Sequence, residues 1–132
     1  MQSTLRMPAM LMSDLVTAVN ERAFQYYGSL RAVRDFVTLR YGERITLAAV
    51  ARVARMERTY FSAFFHRRVG IPFRDWLRDF RVRKAMDLLK ESDQPITAVA
   101  KAVGFQQIRS FERAFKKTSG MTPVQYKRLH RP

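Results

Sequence analysis

Apolar residues recur at steps of three and four along almost the whole chain, and no stretch alternates for long enough to suggest a strand. Met12, Leu15, Val16, Val19, Ala23, Tyr26 and Tyr27 form a first stripe, with Ser13 placed as its N-cap. Gly28 breaks that helix, and Ser29 is placed to cap the next, whose face is Leu30, Val33, Phe36 and Val37 and whose end is Gly42. Thr46 heads a helix with Leu47, Val50, Ala51 and Ala54 on one side. A turn at Arg55, Met56 and Glu57 leads into a helix over about 58–69 that buries Phe61, Phe64 and Phe65. Further on, Pro95 sits in the first turn of a helix whose inward face is Ile96, Val99, Ala100 and Val103. Gly104 suits a left-handed turn, and Phe105 fills the corner behind it. A helix over about 108–118 buries Phe111, Ala114 and Phe115, and Thr122 and Pro123 start a last short helix holding Tyr126 and Leu129. The pattern predicts an all-α fold.

The stretches on either side of residue 80 are copies of one another. Ala49-Val50-Ala51 matches Ala98-Val99-Ala100 at an offset of 49; past the turn the offset becomes 50, pairing Phe61 with Phe111, Phe65 with Phe115, Gly70 with Gly120 and Trp76 with Tyr126. One residue gained inside a turn is the mark of a duplicated helical motif. Between the copies runs a helix over about 73–90. Phe73, Trp76, Leu77 and Phe80 lie on one side of it, and Val82, Ala85, Met86 and Leu89 nearly opposite, because the step from 80 to 82 turns the face by about 200°. Such a helix suits a bridge, each half serving a different lobe.

Charge adds a partner to this picture. The 132 residues carry 25 Lys and Arg against 11 Asp and Glu, a net charge of +14. Residues 1–28 are balanced (Arg6 and Arg22 against Asp14 and Glu21), so the whole excess lies on the duplicated part. A solvated basic surface is the plain reading; a polyanionic partner explains the size of the excess better. A hydrophobic content of 47% excludes a disordered basic tail, and no apolar run approaches the ~20 residues of a membrane span. The methionine-rich start does not read as a secretory signal. Without cysteine there is no disulfide framework, thiolate zinc site or thiol nucleophile. A cytoplasmic, nucleoid-associated protein is the economical expectation, with no cofactor and no metal.

Three groups of residues together resemble a known family. They are Ile96-x-x-Val99-Ala100-x-x-Val103-Gly104-Phe105, then Ser110-Phe111-x-Arg113-x-Phe115-Lys116-Lys117, then Gly120-Met121-Thr122-Pro123-x-x-Tyr126. With Arg81-Val82-x-x-Ala85-x-x-Leu88-Leu89 between the copies, the chain resembles the DNA-binding region of the AraC/XylS transcriptional regulators over about residues 29–131. The resemblance implies seven helices in two homeodomain-like helix-turn-helix lobes. Lobe one spans about 29–72, the linker helix about 73–90 and lobe two about 91–131, behind an N-terminal helical extension over 1–28. It implies double-stranded DNA as partner, and a transcription factor, usually an activator, that contacts RNA polymerase. Twenty-eight residues are too few for the sensor or dimerisation domain most members carry, so the chain resembles the short stand-alone members, with no small-molecule effector expected within it. Glu57 and Gln107 stand where the family often has a Ser or Asp cap, and neither is a preferred cap, although Glu57 suits the helix dipole.

The buried phenylalanines fix which side chains face outward. In the first recognition helix Phe61 and Phe65 turn Thr59, Ser62, Ala63 and His66 away from the core, with Arg58 and Arg67 flanking. Short side chains and methyl groups there suit close approach to base edges and thymine methyls. A solvent-facing helix that only sets Arg58, Arg67 and Arg68 on phosphates fits equally well. In the second recognition helix Arg109, Glu112, Arg113 and Lys116 face outward. Arg113 can donate two bonds to guanine, Glu112 can accept from cytosine or orient an arginine, and Arg109 and Lys116 suit phosphates. A plain surface Glu–Arg pair is the alternative for Glu112 and Arg113. Trp76, Tyr126, Phe105 and Tyr60 are expected in the core, and His130 is expected to do nothing specific. Nothing in the chain resembles a nucleophile–base pair, a phosphate loop or a metal cluster, so no enzyme is expected. A non-specific architectural DNA-binding protein is the competing function; two differently decorated helices argue against it.

Overall fold

The computed structural model describes residues 19–131, eight helices and no strand among them. The expected Ser13 cap and the stripe residues Met12, Leu15 and Val16 lie outside the described residues. The helices are α1 (Arg22–Tyr26), α2 (Gly28–Arg40), α3 (Leu47–Val53), α4 (Arg58–Val69), α5 (Phe73–Glu91), α6 (Ile96–Ala102), α7 (Ile108–Ser119) and α8 (Pro123–His130). As the period-of-3.6 pattern requires, each short helix buries one face. Thr46 caps α3 by accepting from the Ala49 amide at 3.1 Å. Thr122 and Gln125 form a reciprocal capping box at the start of α8.

Two apolar cores result, and α5 belongs to both. Phe24, Phe61, Phe65, Phe73, Trp76 and Leu77 anchor the first, with Phe80 packed against it. Its rings meet mostly edge to face or tilted: Phe24 lies 5.2 Å from Trp76 and Phe65 5.3 Å from Phe73. Val82, Ala85 and Leu89 from the other half of α5 join Val99, Val103, Phe111, Phe115 and Tyr126 in the second. The 200° rotation between Phe80 and Val82 thus sends the two halves of one helix into different cores. Neither core contains a buried polar or charged side chain among the described residues.

A group of polar contacts sits where the cores meet. Arg81, half-buried on α5, donates from Nε to the Tyr41 carbonyl and from an Nη to the Glu43 carbonyl, both at 2.8 Å. Burial pulls its pKa below the ordinary arginine value, and the two carbonyls replace part of the water it has lost. Tyr41 packs against both cores, its ring 5.7 Å from Phe80, with the Lys84 ammonium over both rings. The Tyr41–Glu43 turn comes so close to α6 that a Cβ on Gly42 would lie 2.6 Å from the Ala102 carbonyl. Gly104 has a left-handed backbone (φ +105), and a Cβ there would meet Arg81 Nε and the Tyr41 carbonyl at 2.7 Å. Only glycine meets both demands. In copy one the same turn position is Arg55, also left-handed (φ 59), but exposed. The duplicated turn tolerates a side chain there because no other element approaches it.

The amino-terminal part departs from the sequence expectation. The break falls at Tyr27, whose backbone is extended (φ −100, ψ 117), while Gly28 opens α2 and Ser29 lies inside its first turn without capping it. The chain must turn there so that α1 folds back on α2. The inferred face is right at Ala23, which is buried, but Phe24, absent from the expected stripe, is fully buried and Tyr26 is 79% exposed. Leu129 is likewise exposed, on the outer side of α8. Tyr60 is exposed rather than core, its ring stacked on Phe64 at 6.1 Å. His130 is not idle, since its ring lies 4.2 Å from that of Tyr126. Asn20 ties this region to the end of α4: its backbone N–H donates to the Val69 carbonyl at 2.8 Å and its side chain to the Arg68 carbonyl at 3.2 Å.

Phe24→Ala is therefore expected to remove about 3–5 kcal/mol of stability, the cost of a large core cavity. Urea unfolding followed by circular dichroism measures it. A loss below about 1 kcal/mol would mean that α1 is a dispensable appendage.

Candidate nucleic-acid interface

Each recognition helix is held by the same internal device. Phe61 and Phe65 in α4, and Phe111 and Phe115 in α7, are fully buried four residues apart. That phase leaves Arg58, Thr59, Ser62, Ala63, His66 and Arg67 exposed on α4, and Arg109, Glu112, Arg113 and Lys116 exposed on α7. In both copies the preceding turn closes with the same bond, from the Met56 amide to the Ala51 carbonyl and from the Phe105 amide to the Ala100 carbonyl, each 2.9 Å. Gly70 and Gly120, fifty residues apart, end the two helices.

The two outward faces differ in shape. Arg109, Glu112, Arg113 and Lys116 come together around an open concavity of about 740 Å³ bounded on the far side by Thr122, Pro123 and Val124 of α8. On α4, Ser62 lines a concavity of about 460 Å³ shared with Leu47 and with Arg74 at the start of α5. Arg58, Thr59, Ala63, His66 and Arg67 are exposed. Among the described residues Glu112 makes no ion pair, although Arg109 and Lys116 lie three and four residues away. The simple Glu–Arg surface pair is thus not formed, and the α7 face presents three cations and one acceptor unengaged.

The helix starts differ as well. Glu57 does cap α4: its carboxylate accepts from the Tyr60 amide at 2.9 Å. Glu57 thus caps α4 although its side chain is longer than that of the usual cap residues. Gln107 makes no side-chain cap for α7. Sequence reasoning missed Arg81 as a positioning residue, since its partners lie 38 and 40 residues away. Its place opening the motif Arg81-Val82-x-x-Ala85 was the available signal.

A family profile described as a helix-turn-helix domain matches residues 50–129. The HTH-type transcriptional regulator YijO of Escherichia coli is 31% identical over 117 residues, 89% of this chain and 41% of that protein. YobQ of Bacillus subtilis, described in the same words, is 33% identical over 85 residues, 64% of this chain and 35% of that protein. This chain thus spans well under half the length of these relatives. Among solved structures, the DNA-binding domain of the global transcriptional factor AdpA, in complex with a target DNA, superposes with a TM-score of 0.71 at 27% identity, covering 75% of this chain and 89% of that one.

The Glu57 cap gives α4 a pH dependence of known sign. Hydrogen bonds from the backbone of Thr59 and then Tyr60 hold its pKa below the ordinary glutamate value. Its contribution is therefore complete above the usual glutamate range and disappears as pH falls through the lowered value. Urea midpoints of the native protein should exceed those of Glu57→Gln at pH 7, and the gap should shrink as pH falls through and below the lowered carboxyl range. A gap that stays constant with pH would show that the charge contributes nothing to the cap.

Proposed function

The chain belongs to the AraC/XylS family of helix-turn-helix regulators, and on that footing we propose that it is a sequence-specific transcriptional regulator, acting as an activator. One polypeptide reads two successive major-groove segments of an asymmetric DNA site. Lobe one, about 29–72, places α4 in one segment; lobe two, about 91–131, places α7 in the next; the linker helix about 73–90 sets their separation. The supporting observation is the pair of equivalent helices whose outward faces carry different chemistry. Two unlike readers in one chain need no two-fold symmetry in the operator.

Lobe two is the discriminating half. Arg113 supplies the bidentate fork for a guanine edge, Glu112 accepts from a cytosine amino group or steers an arginine, and Arg109 and Lys116 hold phosphates at the rim. Lobe one offers Thr59, Ser62, Ala63 and His66 for close approach and methyl contact, with Arg58 and Arg67 on phosphates. Ala63 occupies the place that Arg113 fills in copy two and has no hydrogen-bonding group. Contact with RNA polymerase completes the proposal, resting on the family resemblance.

Binding to a selected duplex should weaken roughly 10³- to 10⁵-fold between 50 and 200 mM salt if about six to ten phosphates are neutralised. Arg113→Ala should cost about 1–3 kcal/mol and relax preference at one position of the lobe-two half-site. Arg67→Ala should weaken all sequences alike and lower the salt slope by about one. A full set of single-base variants, titrated with native protein and both substitutions, decides between these roles. Equal loss on every variant with Arg113→Ala would overturn the assignment. No base preference at all in the native protein would favour architectural binding instead.

A further inference from the structure

A cleft of about 620 Å³ opens between the lobes, on the side of α5 that looks toward α7. Its buried lining is apolar, Leu77 from α5 and Ala114 from α7, with half-buried Phe105 beside them. Its exposed lining is cationic: Arg74 on α5, and Arg113 and Lys117 on α7. Arg78, between them, is occupied by Asp75 at 3.3 Å and Asp79 at 3.4 Å, and Arg81 by the Tyr41 and Glu43 carbonyls. No hydrogen bond or ion pair among the described residues engages Arg74 or Lys117.

The cleft is continuous with both recognition faces. Arg74 also lines the smaller concavity that contains Ser62 of α4, and Arg113 and Lys117 also line the concavity on the outer face of α7. Passing along one surface from Ser62 to Arg74 to Arg113 therefore crosses from one reading helix to the other. When two helices enter successive major grooves on one face of a duplex, about 34 Å apart, a minor groove and its bordering strands lie between them. The 19 residues of α5, about 28 Å long at ~1.5 Å per residue, are of the same order as that interval.

We propose that this cleft seats a sugar–phosphate strand of the duplex where it crosses between the two half-sites, with Arg74 and Lys117 clasping its phosphates. The inference rests on the two-segment reading of the preceding section. The chemistry of the walls matches that of a strand: deoxyribose presents an apolar face to Leu77, Phe105 and Ala114, and the phosphate oxygens meet the cations at the rim. Phosphate contacts position without specifying, so the seat adds affinity and fixes register without adding base preference. Arg78, also on the cleft wall, is held by Asp75 and Asp79 and leaves the phosphates to Arg74 and Lys117.

The test uses the native chain and the double variant Arg74→Ala/Lys117→Ala on a duplex selected by the native protein. Both positions are exposed and lie outside the two cores, so folding is checked simply by unchanged thermal melting. The variant should lower the salt slope by about two, close to 0.9 per lost phosphate contact, with base preference in both half-sites unchanged. Replacing the central phosphodiesters by neutral methylphosphonates should weaken the native protein and leave the variant's affinity unaltered. A variant with the native slope, or one that suffers as much from the neutral linkages as the native protein does, overturns the seat while leaving two-segment reading intact. A native protein with a flat salt plot and no selected sequence removes both. Inorganic pyrophosphate, titrated without DNA at low salt, covers the other source of phosphate: saturable binding lost in the variant would assign the cleft to a free anion and overturn the strand assignment.

Discussion

Two hydrogen bonds from one guanidinium set the geometry on which everything else depends. The lobes have separate apolar cores, and what joins them is α5 and the Tyr41–Glu43 turn. A helix alone holds two lobes at a fixed distance but transmits their relative rotation through few contacts. Arg81 removes that freedom by holding the turn of the first lobe against the helix at the point where its buried face changes side. Gly42 and Gly104 serve the same contact from its two edges, since a methyl group on either would strike backbone. The Thr118 hydroxyl, donating to Asp79 at 3.1 Å, ties the end of α7 to the same helix. Breaking a half-buried charge away from its acceptors leaves all three groups short of partners, which makes this joint costly to loosen.

Cores free of buried polar side chains among the described residues, joined at a polar contact, have a consequence for function. Each core can fix the phase of its recognition helix by aromatic packing, independent of the other. The joint then fixes one helix relative to the other. Division of labour between the lobes becomes possible, because the outward residues of α4 and α7 are free of structural duty. Three cations and an unpaired carboxylate on α7 stand against small and mixed side chains on α4. In the proposed complex the cleft between them adds a third contact that holds the strand in register while the two ends read.

Most of this fold was legible in the sequence because local rules carry it. Duplication, the inward phase of Phe61, Phe65, Phe111 and Phe115, the Thr46 cap and the two-sided bridge all follow from spacing and residue type. The failures arise where apolar spacing alone does not decide the outcome. Phe24 was left out of the inward face and Tyr26 put in it because α1 is a single short helix packed against the first core, which a stripe running on from residue 12 does not encode. Glu57 caps α4 against its usual preference, its carboxylate accepting from the Tyr60 amide. Exposed residues on α4 and α7 were readable from phase alone. Arg81, Arg74 and Lys117 acquire their settings only from tertiary packing, and a helix read solely for its apolar positions hides them.

Spacer length tests the rigid joint most directly. Affinity would be measured for duplexes with one base pair added or removed between the half-sites, a change that rotates one half-site by roughly 35° relative to the other. A fixed joint should give the native protein a sharp optimum, with a loss of more than about tenfold on either side, equal to about 1.4 kcal/mol. Arg81→Met, which keeps the bulk and removes the donors, should bind the optimal duplex more weakly yet show a flatter dependence on spacing, with half-site base preferences unchanged. An Arg81→Met profile as sharp as the native one would contradict the claim that this contact sets the geometry of reading.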